Sequence, residues 1–87
     1  MDSKISVLVI DDSEDVHILL EDELTLRGFE MHSAMNGKAG LKCAKKLAKN
    51  GKLDVILLDW VMPEMSGLRV LSKLKYNKKT LLHYKQT

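Results

Sequence analysis

Residues 57–67, "LLDWVMPEMSG", decide the fold. The aliphatic run Val55 to Leu58 leads straight into a carboxylate, Asp59, followed by an indole, a Met-Pro pair and a glycine. A short continuous apolar run bounded by turn-forming residues predicts a strand buried on both faces, the signature of a parallel sheet. In open sheets of that kind, ligands bind outside the carboxyl ends of the strands, where the strand order reverses. Asp59 stands at such an end.

Working outward, Ile5 to Ile10 (ISVLVI) is a second β-branched, almost wholly apolar run, and it ends in Asp11-Asp12-Ser13. Ser13 is a good helix N-cap, and Glu14 and Asp15 suit the positive end of a helix dipole. Val16, Leu19, Leu20 and Leu24 then recur at helical spacing, and Gly28 is a natural stop. Phe29 to Ala34 forms a weaker strand candidate, and Asn36-Gly37 reads as a turn. Gly40, Cys43, Ala44, Leu47 and Ala48 form a second helical stripe, of small residues suited to close packing on a sheet, ended by Asn50-Gly51. The third strand is expected over 54–59. A third helix, marked by Leu68, Leu71 and Leu74, is expected to begin near Ser66-Gly67. The order β-α-β-α-β-α with short connections predicts an α/β fold: a doubly wound parallel sheet with right-handed crossovers and helices on both faces.

Eighty-seven residues make one domain, able to bury roughly 60–65% of its unfolded surface. Hydrophobic content of 45% with 30% charged residues is ordinary globular composition. No run is long enough to span a membrane, and no secretory signal is evident. The single cysteine, Cys43, excludes an internal disulfide and fits a reducing cytoplasm. A net charge of +2 and the lack of a basic-aromatic surface give no reason to expect direct nucleic acid binding. His17, His32 and His83 are scattered without metal-ligand spacing, and His17 falls between the apolar positions of the first helix.

Parallel neighbouring strands bring Asp11, Asp12 and Asp59 to one edge of the sheet. Three clustered carboxylates repel one another, and a divalent cation removes the conflict. A few hard oxygen ligands with water completing the shell suit Mg²⁺. An aspartate so placed can also attack a phosphoryl group to form an acyl phosphate. Each acid alone has a plainer role: a pair after a strand caps a helix, and a strand-ending aspartate serves in a turn.

The stretches "VLVIDDSEDV" (7–16), "AMNGKAGLK" (34–42) and "DVILLDWVMPEMSGLRVL" (54–71) resemble the receiver domain of bacterial two-component response regulators, from Ile5 to about Leu74. The resemblance implies a flavodoxin-like sheet with strand order 2-1-3 at this end. It implies that Asp59 accepts a phosphoryl group from a sensor histidine kinase or phosphotransfer protein. In that reading the chain catalyses its own phosphorylation rather than turning over a released substrate. Asp12 would ligate Mg²⁺ directly, Asp11 would act mainly through water, and the Val61 carbonyl would complete the protein ligands, with Asp59. Pro63 and Gly67 would shape the loop after the acceptor.

The chain departs from the family pattern after the third helix. Residues 4–75 are expected to be the core of a single domain, 1–87, with 76–87 an atypical tail. The family's last two strands are expected to be lacking, and with them the usual phosphoryl-pairing lysine. Thr87 is the one candidate for the usual hydroxyl. Without those strands, the third strand is expected to be an exposed edge open to a second copy of the chain. A degenerate receiver that docks or dimerises without taking phosphate is the competing reading. A haloacid-dehalogenase-type phosphatase fits poorly, because its nucleophile follows the first strand with a second Asp two residues on, where this chain has Ser13.

Overall fold

The computed structural model describes residues 4–59, 62 and 65–73. The expected tail 76–87, with His83 and Thr87, and also Trp60, Val61, Pro63 and Leu74, lie outside the described residues. Six elements follow in strict alternation: β1 (Ser6–Ile10), α1 (Glu14–Leu26), β2 (Glu30–Ala34), α2 (Gly37–Lys49), β3 (Val55–Leu58) and α3 (Gly67–Lys73). The described strands form one parallel sheet in the order β2-β1-β3. Ile10 pairs with Ala34 on one side and with Leu58 on the other, so all three strands end in register.

β1 is central, and its five residues are all buried, as its apolar run requires. Alternation along it sends Leu8 and Ile10 to one face and Val7 and Val9 to the other. The first face carries the core: Leu8, Ile10, Ala34, Ala44, Leu47, Ile56, Leu58, Met62 and Val70 form one cluster, with Leu41, Cys43, Leu53 and Met65 packed against it. Those residues place α2 and α3 on that face. Right-handed crossovers from β1 to β2 and from β2 back past β1 to β3 run in opposite directions, which puts α1 on the other face.

The edge strand β2 is only partly covered, which accounts for its weaker sequence signal. Asp54 anchors the start of β3: its Oδ2 accepts from the Ser6 amide at 2.8 Å, and its own amide donates to the Ser6 carbonyl at 3.1 Å.

Several expectations are corrected. Asn36 and Gly37 do not form a free turn. Asn36 is the N-cap of α2, its side chain accepting from the Ala39 amide at 2.8 Å, and Gly37 is the first helical residue. On α1, Leu19 is 67% exposed whereas His17 is 7% exposed. The helix carries apolar residues on more than one stripe, and docking buries Val16, Leu20 and Leu24 only partly while turning His17 inward. On α3 the described buried apolar side chain is Val70.

Gly28 follows the α1 C-cap, Arg27, with φ +85°. A Cβ there would meet nothing within 4 Å, so backbone strain alone opposes substitution. Gly28→Ala is expected to cost about 1–2 kcal/mol of stability, read from the urea midpoint at unchanged slope.

Candidate functional site

The site is built from the ends of two adjacent strands. The Asp11 amide donates to the Ala34 carbonyl at 3.1 Å, extending the β1–β2 ladder by one residue. The Asp59 amide donates to the Ile10 carbonyl at 2.9 Å, doing the same for β1–β3. Both acids are therefore fixed by sheet hydrogen bonds and are fully buried. Asp12, one residue further along, is exposed.

The turn into α1 is tied down locally. Oδ1 of Asp11 accepts from the Ser13 amide at 2.8 Å. Ser13 is the N-cap, with extended backbone, and its Oγ accepts from the Val16 amide at 3.4 Å. Glu14 and Asp15 occupy the first turn, where the helix dipole favours them.

Carboxylate oxygens of Asp11, Asp12 and Asp59 all lie within 4.8 Å of one another. The sequence-predicted trio is brought together. Two of the three carboxylates are buried, which distinguishes the cluster from the exposed acidic groups common on protein surfaces. An all-oxygen donor set with one side open to solvent fits a hard divalent cation such as Mg²⁺. Val61, the fourth expected ligand, and Thr87, the expected hydroxyl, lie outside the described residues.

Met62 is 7% exposed and belongs to the core cluster. Burial raises the Cys43 thiol above its ordinary range, opposed in part by the Lys46 charge, and leaves it a poor nucleophile near neutrality. His32 lies mid-strand on β2 with Nε2 3.0 Å from Glu30 Oε2, two residues short of the strand end.

His17 is the residue that motif reasoning missed. Its Nε2 lies 2.7 Å from the backbone carbonyl oxygen of Asp11. The one available signal was position: His17 stands next to Val16 in the first turns of a helix that opens directly after the acid pair.

A three-stranded parallel sheet of order 2-1-3, carrying three convergent acids at its carboxyl edge, defines a doubly wound α/β domain with an acidic cluster that could hold a metal ion. Comparison with known proteins gives the family. The response regulator receiver domain model matches residues 7–83, and the chain belongs to that family.

The transcriptional regulatory protein SrrA of Staphylococcus aureus is 38% identical over 74 residues, which span 85% of this chain and 29% of that protein. The chain thus spans under a third of the length of such relatives. Among solved structures, the chemotaxis protein CheY4 of Vibrio cholerae is 28% identical with a TM-score of 0.78, covering 93% of this chain and 68% of its own. The response regulator TrrA of Thermotoga maritima, solved in complex with Mg²⁺-BeF, is 34% identical with a TM-score of 0.70, covering 93% and 66%. Among the described residues no helix is long and apolar enough to cross a membrane.

Proposed function

We propose that this chain is a phosphoaccepting receiver in which Asp59 is the acceptor and Asp11, Asp12 and Asp59 hold Mg²⁺. The observation that carries this reading is the convergence of three carboxylates within 4.8 Å, two of them buried, at the carboxyl edge of the sheet. The buried carboxylate of Asp59 is the nucleophile: an oxygen forms a bond to phosphorus as the bond from phosphorus to the donor's imidazole nitrogen breaks. The imidazole leaves with the bonding pair and takes up a proton. Buried Asp11 and exposed Asp12 would hold the cation beside that carboxylate. Mg²⁺, when bound, neutralises charge on the phosphoryl oxygens.

The donor is a sensor histidine kinase or phosphotransfer protein, in keeping with the family. The chain's contribution to transfer is positioning and electrostatics, and the phosphoryl group stays on Asp59 until the acyl phosphate is hydrolysed. A second copy pairing along the outer edge of β3 is a further partner in this reading. It is supported by the fact that, among the described strands, β3 pairs only with β1. A concentration-independent monomer in light scattering would dismiss it.

Intact-mass spectrometry after incubation with acetyl phosphate and Mg²⁺ tests the reading. A phosphoryl adduct that disappears with EDTA is expected. A folded protein that takes up no phosphoryl group would leave the docking-module reading in its place.

A further inference from the structure

Among the described residues, His17 is a buried polar side chain that belongs to neither the core nor the acid cluster. Burying a polar ring is unfavourable unless it is hydrogen-bonded, and an aliphatic residue would fill the same space at the base of α1. The ring makes one directed contact, 2.7 Å from Nε2 to the Asp11 carbonyl oxygen. A carbonyl only accepts, so Nε2 carries the proton and donates. Nδ1 is buried and has no hydrogen-bond partner among the described residues. The side chain is thus placed for that single bond.

The bond closes a short loop. The Ser13 carbonyl accepts the His17 amide at 3.3 Å, so the first turn of α1 is fastened to the turn by backbone and to the strand end by the imidazole. Asp11 is then held at three points: its amide by Ala34, its Oδ1 by the Ser13 amide, and its carbonyl by His17. The held carbonyl belongs to the peptide that links Asp11 to Asp12. The direction of that peptide sets where the exposed Asp12 side chain departs from the backbone.

We infer that His17 is a positioning residue that clamps the Asp11–Asp12 peptide and so aims the Asp12 carboxylate at the cation. The clause about the cation rests on the Mg²⁺ reading above; the clamp itself does not. Groups that orient ligands from behind the first coordination shell govern affinity without touching the ion.

Two substitutions separate the clamp from mere packing. His17→Gln puts an amide nitrogen near the position of Nε2, and His17→Asn puts one near Nδ1, short of the carbonyl. In metal-free protein, H17N is expected to accelerate hydrogen exchange at the Ser13 amide, which donates to Asp11 Oδ1, whereas H17Q stays close to wild type. In a Mg²⁺ titration followed by NMR shifts, H17N is expected to weaken binding about tenfold and H17Q to restore it.

Equal behaviour of the two variants, or wild-type exchange and affinity in H17N, overturns the inference. A wild-type protein that binds no Mg²⁺ defeats the cation reading, and the exchange measurement still decides the clamp. If H17N fails to fold, the ¹⁵N shifts of the wild-type imidazole decide it: a protonated Nε2 with bare Nδ1 is expected, and the opposite tautomer overturns the clamp.

Discussion

Asp59→Asn is expected to take up no phosphoryl group from acetyl phosphate under conditions that label the wild-type chain, and to be more stable than wild type when Mg²⁺ is absent. The first outcome follows from the nucleophile: an amide oxygen is a far weaker attacking group than a carboxylate, and no other acid of the cluster is both buried and at the end of β3. The second follows from charge. Asp11 and Asp59 are fully buried, with carboxylate oxygens within 4.8 Å. Two unit charges at that separation repel by about 3 kcal/mol at an effective dielectric near 20. Asp11 Oδ1 also accepts from the Ser13 amide, so the net gain on neutralising Asp59 is smaller, about 1–2 kcal/mol. Mg²⁺ should reverse the ranking: saturation to about 100 times Kd stabilises a binding protein by about 2.7 kcal/mol, and the variant keeps less of that gain. Urea titrations of both proteins, with EDTA and with Mg²⁺, read all four values. A variant no more stable than wild type in EDTA would mean that the three acids do not repel. A phosphoryl adduct on Asp59→Asn would move the acceptor elsewhere.

Much of this arrangement was legible because it depends on runs and ends. Apolar stretches that stop at acids specify buried strands and place the acids at the carboxyl edge. The observed register does the rest by ending Ile10 beside Leu58. The helix starts were legible where a capping side chain announced them, as at Ser13. Asn36 was read as part of a turn because asparagine before glycine favours a turn and an N-cap equally, and only the Ala39 amide distinguishes them. His17 was illegible for a different reason. Its partner is a backbone carbonyl six residues earlier, and no side-chain pattern encodes a contact to a main-chain oxygen. The exposure of Leu19 was hidden by the same helix, where leucines at 19, 20 and 24 permit more than one inward face. Val61 and Thr87 stay expectations of the family resemblance.

The close approach of α2 to the sheet leads to the second large effect, a substitution that changes sign with its background. A Cβ built at Gly40 would lie 2.5 Å from Ile10 Cδ1 and 2.8 Å from both Cγ1 and Cγ2. Ile10 is fully buried at the end of the central strand, and its β-branched side chain has little rotameric freedom with which to yield. Gly40→Ala therefore costs packing strain of about 1–3 kcal/mol, against a gain in helix propensity of about 1 kcal/mol, and the strain is expected to win. Ile10→Ala alone removes all three crowding atoms and leaves a cavity costing about 2–5 kcal/mol. For a chain of this length, with about 4–13 kcal/mol of total stability, that is a large share. In the Ile10→Ala background the Gly40→Ala methyl enters the vacated space, and the propensity gain is no longer opposed. The double variant is expected to be more stable than Ile10→Ala by about 1 kcal/mol, while Gly40→Ala alone is less stable than wild type. Urea midpoints of the four proteins close the cycle, and an equal cost of Gly40→Ala in both backgrounds would show that the helix shifts away rather than pressing on Ile10. The same contact reaches the chemistry. Ile10 accepts the Asp59 amide through its carbonyl and precedes Asp11 directly, so the helix that presses on it from behind also holds both buried acids in register. Loss of Ile10 bulk should therefore weaken Mg²⁺ stabilisation as well as the fold, and the double variant should recover part of both.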